Sequence, residues 1–317
     1  MVKRFRHLKP YGKGAFVDRF TTRANSLLMN ELPEEKGLYG LVGLPLSKTS
    51  ISHSGASFAP GTIREALSSF TTYSGEMKTE LTEAIIDFGD VYLSPTNLIE
   101  NQHTLYEAVR EVLAENLVEY YFFLGGDHSV SYSAIKAYAE HFGDIGVIQF
   151  DAHHDLRNTE DGGPTNGTPF RRLLTDQVIS GENLVQIGIR DFTNAPAYHD
   201  YALEQGVKVY TMRDVREKGI TSILSTELSL LSKKVSKIYI SLDMDVLDQA
   251  YAPGCPAIGP GGMNTETLFD GIDLLSSHEK VQAIDIVEID PTIDIRNMTS
   301  RVAAYVLLQF MKGKQAQ

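Results

Sequence analysis

Short apolar runs alternate with amphipathic windows along most of the chain. The runs have the length and composition of buried strands and lie at 38–44, 84–88, 120–124, 145–150, 184–189, 207–210, 237–242 and 281–287. The windows place apolar residues at helical spacing and lie at 104–117, 129–142, 196–205, 221–234, 265–277 and 299–312. Strand–helix alternation with short loops predicts an α/β fold whose mostly parallel sheet is covered by helices on both faces.

The first 36 residues differ from this pattern, because they are polar and irregular. Within them, the Leu-Pro-Glu-Glu stretch at 32–35 breaks any long element. We find no internal repeat and no low-complexity segment. The sequence therefore predicts an irregular N-terminal segment over 1–36, followed by a single catalytic domain over 37–317. Two stretches rich in glycine and proline, 161–169 and 252–262, are expected to shape a site rather than link domains.

Composition narrows the choice of partners and compartment. The chain of 317 residues has a formal net charge of −12, which argues against nucleic acid or an anionic membrane as the main partner. No apolar run approaches the roughly 18 residues that a membrane span needs, and the N-terminus lacks the apolar stretch of a secretory signal. Cys255 is the only cysteine, so no intramolecular disulfide can form. We expect a cytoplasmic protein in which Cys255 is a packing residue.

Candidate chemistry is concentrated where three of the apolar runs end. Gly-Gly-Asp-His-Ser occupies 125–129, Asp-Ala-His-His-Asp occupies 151–155, and Asp-Met-Asp occupies 243–245. Because strand ends in open α/β sheets converge on one crevice, these motifs should lie close together. So many carboxylates cannot share a site without a cation. The sequence therefore predicts a centre with two metal ions.

Parity along the extended chain selects the ligands within these motifs. Asp151, His153 and Asp155 share a face at i, i+2 and i+4, so His153 is favoured as a ligand over His154. A single acidic residue at a strand end is usually a helix cap or a turn former, as Asp127, Asp176 or Asp214 could be. Six ionisable groups at three strand ends are harder to explain as caps or turn formers, since uncompensated carboxylate pairs would cost several kcal/mol on folding.

The mixed imidazole and carboxylate donors suit a divalent ion of borderline to hard character. Manganese fits this donor set well, and iron, cobalt and zinc remain alternatives. Two such ions bridged by carboxylates lower the pKa of bound water, which is the chemistry of hydrolysis.

These motifs together resemble the ureohydrolase family, which includes arginases, agmatinases, formimidoylglutamases and guanidino-acid hydrolases. The matching pieces are the motifs at 125–129 and 151–155, Ser-Leu-Asp-Met-Asp at 241–245 and Asp-Ile-Val-Glu-Ile-Asp-Pro at 285–291, with fainter agreement at 55–64. The resemblance covers about residues 38–310. It implies the arginase-like three-layer α/β/α sandwich, two Mn²⁺ ions per subunit, and a homotrimer or homohexamer.

The resemblance also implies a role for each candidate residue. One manganese ion would be bound by four residues, His128, Asp151, Asp155 and Asp243. The other would be bound by Asp151, His153, Asp243 and Asp245, so that Asp151 and Asp243 bridge the ions. Glu288 would bind the planar amidine or guanidinium group of the substrate, a pairing for which a carboxylate is well suited. Beyond the resemblance, we hypothesise that Asp155 accepts a proton from the attacking water and donates it to the leaving nitrogen, and that Asp127 orients metal-bound solvent or His128.

Departures from arginase carry the information about the substrate. Asn166 stands where arginase has a histidine that contacts substrate and transfers protons, and an amide cannot carry protons at neutral pH. Arg157 replaces an asparagine that meets the substrate carboxylate in arginase, and an arginine there could bind a carboxylate bidentately. The runs 167–171 and 188–194 resemble formimidoylglutamase, so Arg171 and Arg190 are further candidates for substrate binding.

We therefore expect hydrolysis of the small amidine N-formimidoyl-L-glutamate to L-glutamate and formamide, a step of histidine degradation. The first alternative is an agmatinase or guanidino-acid hydrolase that releases urea, which the global acidity of the chain favours mildly. A metal-dependent phosphoesterase is a second alternative, although it would leave Glu288 facing an anion. A catalytically silent binding subunit is a third, although every ligand type is intact.

Overall fold

The computed structural model describes residues 19–33, 35–52 and 54–315, and its central element is a parallel β-sheet. The strands of that sheet are β1 (Leu28–Met29), β2 (Tyr39–Leu44), β5 (Ile85–Asp90), β6 (Tyr120–Gly125), β7 (Ile145–Phe150), β8 (Leu184–Ile189), β9 (Lys208–Thr211), β10 (Lys237–Asp243) and β11 (Val281–Val287). A small antiparallel pair, β3 (Tyr73–Ser74) and β4 (Thr79–Glu80), lies apart from it. The order across the main sheet is β1-β5-β2-β6-β11-β10-β7-β8-β9, and every pairing is parallel.

Helices cover both faces of the sheet. One face carries α1 (Ala59–Leu67), α6 (Met212–Lys218), α7 (Ile220–Leu231), α8 (Thr265–Ser276) and α9 (Met298–Gln315). The other carries α2 (Leu98–Glu115), α3 (Val130–Phe142), α4 (Pro169–Thr175) and α5 (Pro196–Glu204). Each layer buries its own apolar cluster against the sheet, which is why the central strands are apolar on both faces. The predicted three-layer α/β/α sandwich is confirmed.

The predicted elements are present in the structure, but several short elements were not predicted. Each predicted strand is present with its ends within two residues, and each predicted helix is present. Helix α2 begins six residues before the predicted start, because the side chain of Asn97 accepts a hydrogen bond from the Glu100 N–H and caps the helix there. The prediction missed the helices α1, α4 and α6 and the two-residue strands β1, β3 and β4. Among these, α6 begins with a capping box between Thr211 and Asp214, so Asp214 is a helix cap.

Part of the predicted N-terminal segment lies outside the described residues. Within the described remainder, a 3₁₀ turn at Ala24–Leu27 leads into β1, which pairs with β5 at the edge of the sheet. The division into this segment and one catalytic domain stays a prediction. None of the helices in the described ranges is long and apolar enough to cross a membrane.

The candidate site lies at the carboxyl ends of four adjacent strands in the middle of the sheet. In spatial order these are β6, β11, β10 and β7. Asp243 is the last residue of β10, and Asp151 and Glu288 directly follow β7 and β11. His128 lies three residues after β6. Parallel pairing therefore gathers four separate parts of the sequence at one edge of the sheet.

Gly126 allows the turn after β6 to pass close to the chain that follows β2. The N–H of Gly126 donates to the Leu44 carbonyl at 3.0 Å, and the N–H of Asp127 donates to the Leu46 carbonyl at 2.7 Å. A Cβ atom on Gly126 would overlap the backbone of Leu46. Backbone cannot move aside as the end of a flexible side chain can, so only glycine fits this approach.

We predict that Gly126→Ala lowers the free energy of unfolding by about 1–3 kcal/mol, the usual cost of overpacking. Gly61→Ala is the matched control, because a Cβ at this exposed position in α1 has no atom within 4 Å. Alanine should stabilise that helix by roughly 0.5–1 kcal/mol. Urea titration of both variants measures the difference. Equal stability of the two variants would contradict the close approach at Gly126.

Candidate metal centre

His128 lies at the centre of one group of carboxylates. Its Nδ1 is 2.9 Å from Asp155 Oδ2, 3.1 Å from Asp243 Oδ2 and 3.2 Å from Asp151 Oδ2. The His128, Asp151 and Asp243 side chains are buried, and Asp155 is nearly so. These four side chains could bind one metal ion.

A second group is formed around His153, and Asp151 belongs to both groups. His153 Nδ1 lies 2.8 Å from Asp245 Oδ2 and 3.6 Å from Asp151 Oδ1. Asp151 thus turns Oδ2 toward His128 and Oδ1 toward His153, as a bridging carboxylate would. Asp243, the other predicted bridge, has Oδ2 in the first group, while its Oδ1 accepts the N–H of Asp245 at 2.8 Å. The second group is Asp151, His153 and Asp245.

The hydrogen bonds behind His128 determine which of its ring nitrogens carries the proton. Its Nε2 lies 3.0 Å from Ser241 Oγ, and this hydroxyl donates to Asp285 Oδ1 at 2.8 Å. Since Ser241 uses its proton on Asp285, it accepts from Nε2–H of the neutral ring. The lone pair of Nδ1 then points among three carboxylate oxygens, where Nδ1 makes no hydrogen bond. An orphaned buried nitrogen in that position fits a metal ion.

The shifted pKa values of the cluster also indicate that it needs a cation. Burial lowers the pKa of His128, but the carboxylates of Asp151, Asp155 and Asp243 outweigh it and raise the pKa well above its usual value. For His153, burial also opposes the shift, yet Asp245 and Asp151 raise the pKa to about 12. Burial, followed by Asp245 and Asp151, raises the pKa of Asp243 well above the usual range. Without another cation, the cluster would have to hold protons.

Glu288 is fixed beside this cluster by two hydrogen bonds. Its Oε1 accepts the His128 N–H at 2.8 Å and the Asn166 Nδ2–H at 3.0 Å. Burial, followed by the charge of Asp127, raises the pKa of Glu288 to about 8. Glu288 also has a φ of 60°, and Asp155 has a φ of 52°. Non-glycine residues are strained there, and such strain is concentrated at functional sites.

A cleft of about 340 Å³ opens onto these groups. Its floor includes His153, Asp155, Asp243, Asp245 and Glu288, and its walls come from the residues 51–52, 156–157, 166–167, 193–195, 198 and 256–257. Both glycine- and proline-rich stretches therefore contribute to the cleft, as predicted. The cleft joins the predicted metal ligands to two of the predicted substrate residues.

Those two residues, Arg157 and Asn166, lie at different depths in the cleft. Arg157 is exposed, and its guanidinium lies 6.0 Å from the centre of the Tyr198 ring. A Cβ on Gly167 would lie 2.6 Å from Arg157 Cδ, so glycine leaves the space that this side chain occupies. Asn166 lies deeper, where its Oδ1 accepts the Ile51 N–H and its Nδ2 holds Glu288.

The structure places three other candidates outside the cleft. The Arg171 guanidinium stacks on the Tyr201 ring at 3.5 Å. Arg190 is buried and donates to the carbonyl of Gly259 at 3.1 Å, away from the metal ligands. Neither arginine lines the cleft, and whether either of them binds substrate stays a prediction. Asp127 accepts hydrogen bonds from Thr49 and Ser129, so it orders the turn that carries His128.

Sequence reasoning missed the role of Ser241 and Asp285. The available signal for Ser241 was parity, since it lies two residues before Asp243 and shares its face of β10. Asp285 lies beside Ser241 in the sheet register and also accepts the hydroxyl hydrogen of Tyr239 at 3.0 Å. His154 is buried and faces Gln186 rather than the carboxylates, as its parity predicted.

Known proteins share both this sequence and this fold. A formimidoylglutamase from Halalkalibacterium halodurans is 53% identical over 300 residues, which cover 94% of each chain. The crystal structure of formimidoylglutamase from Bacillus subtilis matches with a TM-score of 0.93 and 47% identity, over 97% of this chain and 96% of that one. A Trypanosoma cruzi formiminoglutamase with Mn²⁺ matches with a TM-score of 0.84 and 25% identity, over 92% and 98% of the two chains.

An enzyme of another name also resembles this chain. A mitochondrial agmatinase from Gallus gallus is 28% identical, over 89% of this chain and 84% of its own. The arginase family model matches residues 38–312. With its parallel sheet and its cluster of histidine and aspartate residues that could hold two metal ions, the chain belongs to the arginase family.

Proposed function

We propose that this protein is a binuclear-manganese hydrolase that cleaves N-formimidoyl-L-glutamate to L-glutamate and formamide. The observation that carries the proposal is a cleft with a carboxylate at its floor for an amidinium and an arginine at its rim for a carboxylate. Two bacterial formimidoylglutamases are 53% and 48% identical to this chain, which supports the same assignment.

The proposed ligands of one ion are His128, Asp151, Asp155 and Asp243, and those of the other are Asp151, His153, Asp243 and Asp245. The orphaned Nδ1 of His128 and the two-sided placement of Asp151 support these sets. Oxygen-rich ligation without thiolate suits manganese, and the T. cruzi relative contains Mn²⁺. When bound, two such ions lower the pKa of water and polarise the group to be hydrolysed.

Glu288 is the proposed partner of the formimidoyl group. Its Oε1 already accepts two hydrogen bonds, and within the described ranges no group donates to Oε2, which leaves that oxygen for a ligand. Its raised pKa means that a cationic partner would restore its ionised form. Asn166 holds Glu288 in place, so its role is to orient the carboxylate rather than to carry a proton.

Arg157 is the proposed anchor for the substrate carboxylates. It lies at the exposed end of the cleft, while Glu288 and the acidic cluster form the floor. A substrate with an amidine at one end and carboxylates at the other matches this separation of charge. A guanidinium can bind a carboxylate through two parallel hydrogen bonds, which fixes orientation as well as adding affinity.

Hydrolysis requires a proton to move from the attacking water to the nitrogen of the departing glutamate. Asp155 lines the cleft and belongs to the cluster, so its carboxylate is placed to accept that proton and return it. Addition of water to the formimidoyl carbon and loss of the amine then yield formamide and glutamate.

Release of urea from agmatine or a guanidino acid is the second candidate. A cationic tail such as that of agmatine would meet Arg157 at the rim and be repelled. The agmatinase reported above is 28% identical to this chain, whereas two bacterial formimidoylglutamases are 53% and 48% identical. From the family resemblance we further infer a cytoplasmic homotrimer or homohexamer.

We predict that manganese-loaded protein releases formamide and glutamate from N-formimidoyl-L-glutamate. Agmatine, arginine and guanidinobutyrate, tested in parallel, should give little urea. Chromatographic analysis of the products measures both reactions without depending on ammonia. Urea from one of these three compounds at a higher rate would overturn the substrate while leaving the metal site intact.

We predict that Asp243→Ala loses manganese affinity by more than about 100-fold, because removing a ligand should exceed the loss from a residue behind a ligand. Turnover should fall with it. Metal content after dialysis is measured by mass spectrometry. Asp144→Ala, at an exposed carboxylate, is the control and should retain both ions. Full metal content in Asp243→Ala would refute the proposed ligand set.

We predict that Arg157→Met lowers kcat/KM for N-formimidoyl-L-glutamate by roughly 10–150-fold, the worth of hydrogen bonds to a charged group. Methionine keeps most of the side-chain stem and removes the guanidinium. Arg171→Met is the matched control and should have wild-type kinetics, since Arg171 lies outside the cleft. Steady-state kinetics and metal content are measured for both. Equal kinetics in the two variants would remove Arg157 from the substrate site.

A further inference from the structure

A chain of hydrogen bonds runs from the helix α5 to the proposed bridging ligand Asp151. His199 Nδ1 lies 3.2 Å from His154 Nε2, and His154 Nδ1 lies 2.6 Å from Gln186 Oε1. Gln186 Nε2 donates to Gln149 Oε1 at 2.7 Å, and Gln149 Nε2 donates to Asp151 Oδ2 at 2.7 Å. Apart from His199, each member is at most 1% exposed.

The charged end of this chain fixes the direction of every hydrogen bond in it. An ionised carboxylate only accepts, so Gln149 must turn its NH₂ group toward Asp151. The Gln149 oxygen then faces Gln186 and requires the NH₂ group there. Gln186 Nε2 also donates to the backbone carbonyl of His154 at 2.8 Å, which holds the same orientation from a second side.

The same logic determines the tautomer of His154. Gln186 presents its oxygen to His154 Nδ1, so Nδ1 must carry the hydrogen. In a neutral ring, Nε2 is then the acceptor, and His199 Nδ1–H is its donor. His154 thus receives one hydrogen bond and passes one on, and no other tautomer satisfies its two side-chain partners.

We propose that His154 is a positioning residue for the metal centre. The His154 Nδ1–H fixes the orientation of the Gln186 amide, which in turn fixes the orientation of the Gln149 amide. Gln149 then donates to the Asp151 oxygen that faces His128. Without this donor, Gln186 Oε1 would be buried without its partner, and only the backbone carbonyl of His154 would still oppose reversal of the two amides. A reversed Gln149 would direct an oxygen at Asp151 and repel it.

His154 also joins the metal ligands to the wall of the cleft. Its backbone N–H donates to Asn194 Oδ1 at 2.9 Å, and Asn194 Nδ2 donates to the carbonyl of Ala152 at 3.0 Å. Asn194 and Tyr198 both line the cleft, and His199 follows Tyr198 on α5. The positioning network therefore connects a ligand loop to the residues proposed to surround substrate.

This inference rests on the proposed metal site, and two substitutions test it. His154→Leu removes the donor, whereas His154→Asn places an amide N–H where Nδ1–H was. We expect His154→Leu to weaken manganese binding by about 10-fold, the lower end of the loss on removing a direct partner of a ligand, because two glutamines separate His154 from Asp151. His154→Asn should stay within a few-fold of wild type. Manganese affinity is measured by competition with a chelator on the full chain, and thermal unfolding of the metal-free proteins is measured beside it.

His141→Leu is the matched control, since this histidine is exposed on α3. A lower unfolding temperature for His154→Leu with unchanged manganese affinity would reduce His154 to a structural role. Equal losses in His154→Asn and His154→Leu would show that ring shape, not the donor, matters, and would overturn the proposal. Failure of the wild-type protein itself to bind two manganese ions would instead refute the metal site. Nitrogen NMR provides an independent readout, because the proposal requires the Nδ1–H tautomer of His154.

Discussion

The arrangement of this protein depends on four carboxylates held together away from water. Asp151, Asp155, Asp243 and Asp245 surround two imidazoles at one edge of the sheet. Such a group cannot stay ionised without cations in its midst, and the strongly raised pKa values of both histidines show what the protein alone would do to compensate. Two metal ions held by these residues would relieve that repulsion and would supply Lewis acids to the cleft.

The fold supports the cluster with hydrogen bonds to His128 and Asp151. Ser241 and Asp285 hold His128 from behind through strands β10 and β11. Gln149 and Gln186 hold Asp151 from β7 and β8. Because the sheet is covered on both faces, water does not reach these polar groups. A group among them without a hydrogen-bond partner would therefore destabilise the fold. Rigid strands thus provide the ligands, while the surrounding loops determine what enters the cleft.

Sequence pattern predicted most of the sheet and the cluster, and its failures have physical reasons. Buried parallel strands are near-continuous apolar runs, so β7, β8 and β11 were located to the residue. Helix α4 was missed because it starts at Pro169, directly after a glycine-rich loop. The positions of Arg171 and Arg190 depend on which ring or carbonyl each long side chain reaches, and a linear sequence does not encode that contact locally. The hydrogen-bonded chain through His154 likewise depends on β7, β8 and α5 meeting in space.

The most direct test measures how many manganese ions bind to each chain and whether two of them lie close together. Manganese is titrated into metal-free protein while electron paramagnetic resonance follows the bound ions. A shared Asp151 predicts that two manganese ions bind per chain and that their spins couple, giving the spectrum of an exchange-coupled pair at saturation. Saturation at one ion per chain, or two ions with uncoupled spectra, would contradict the binuclear centre.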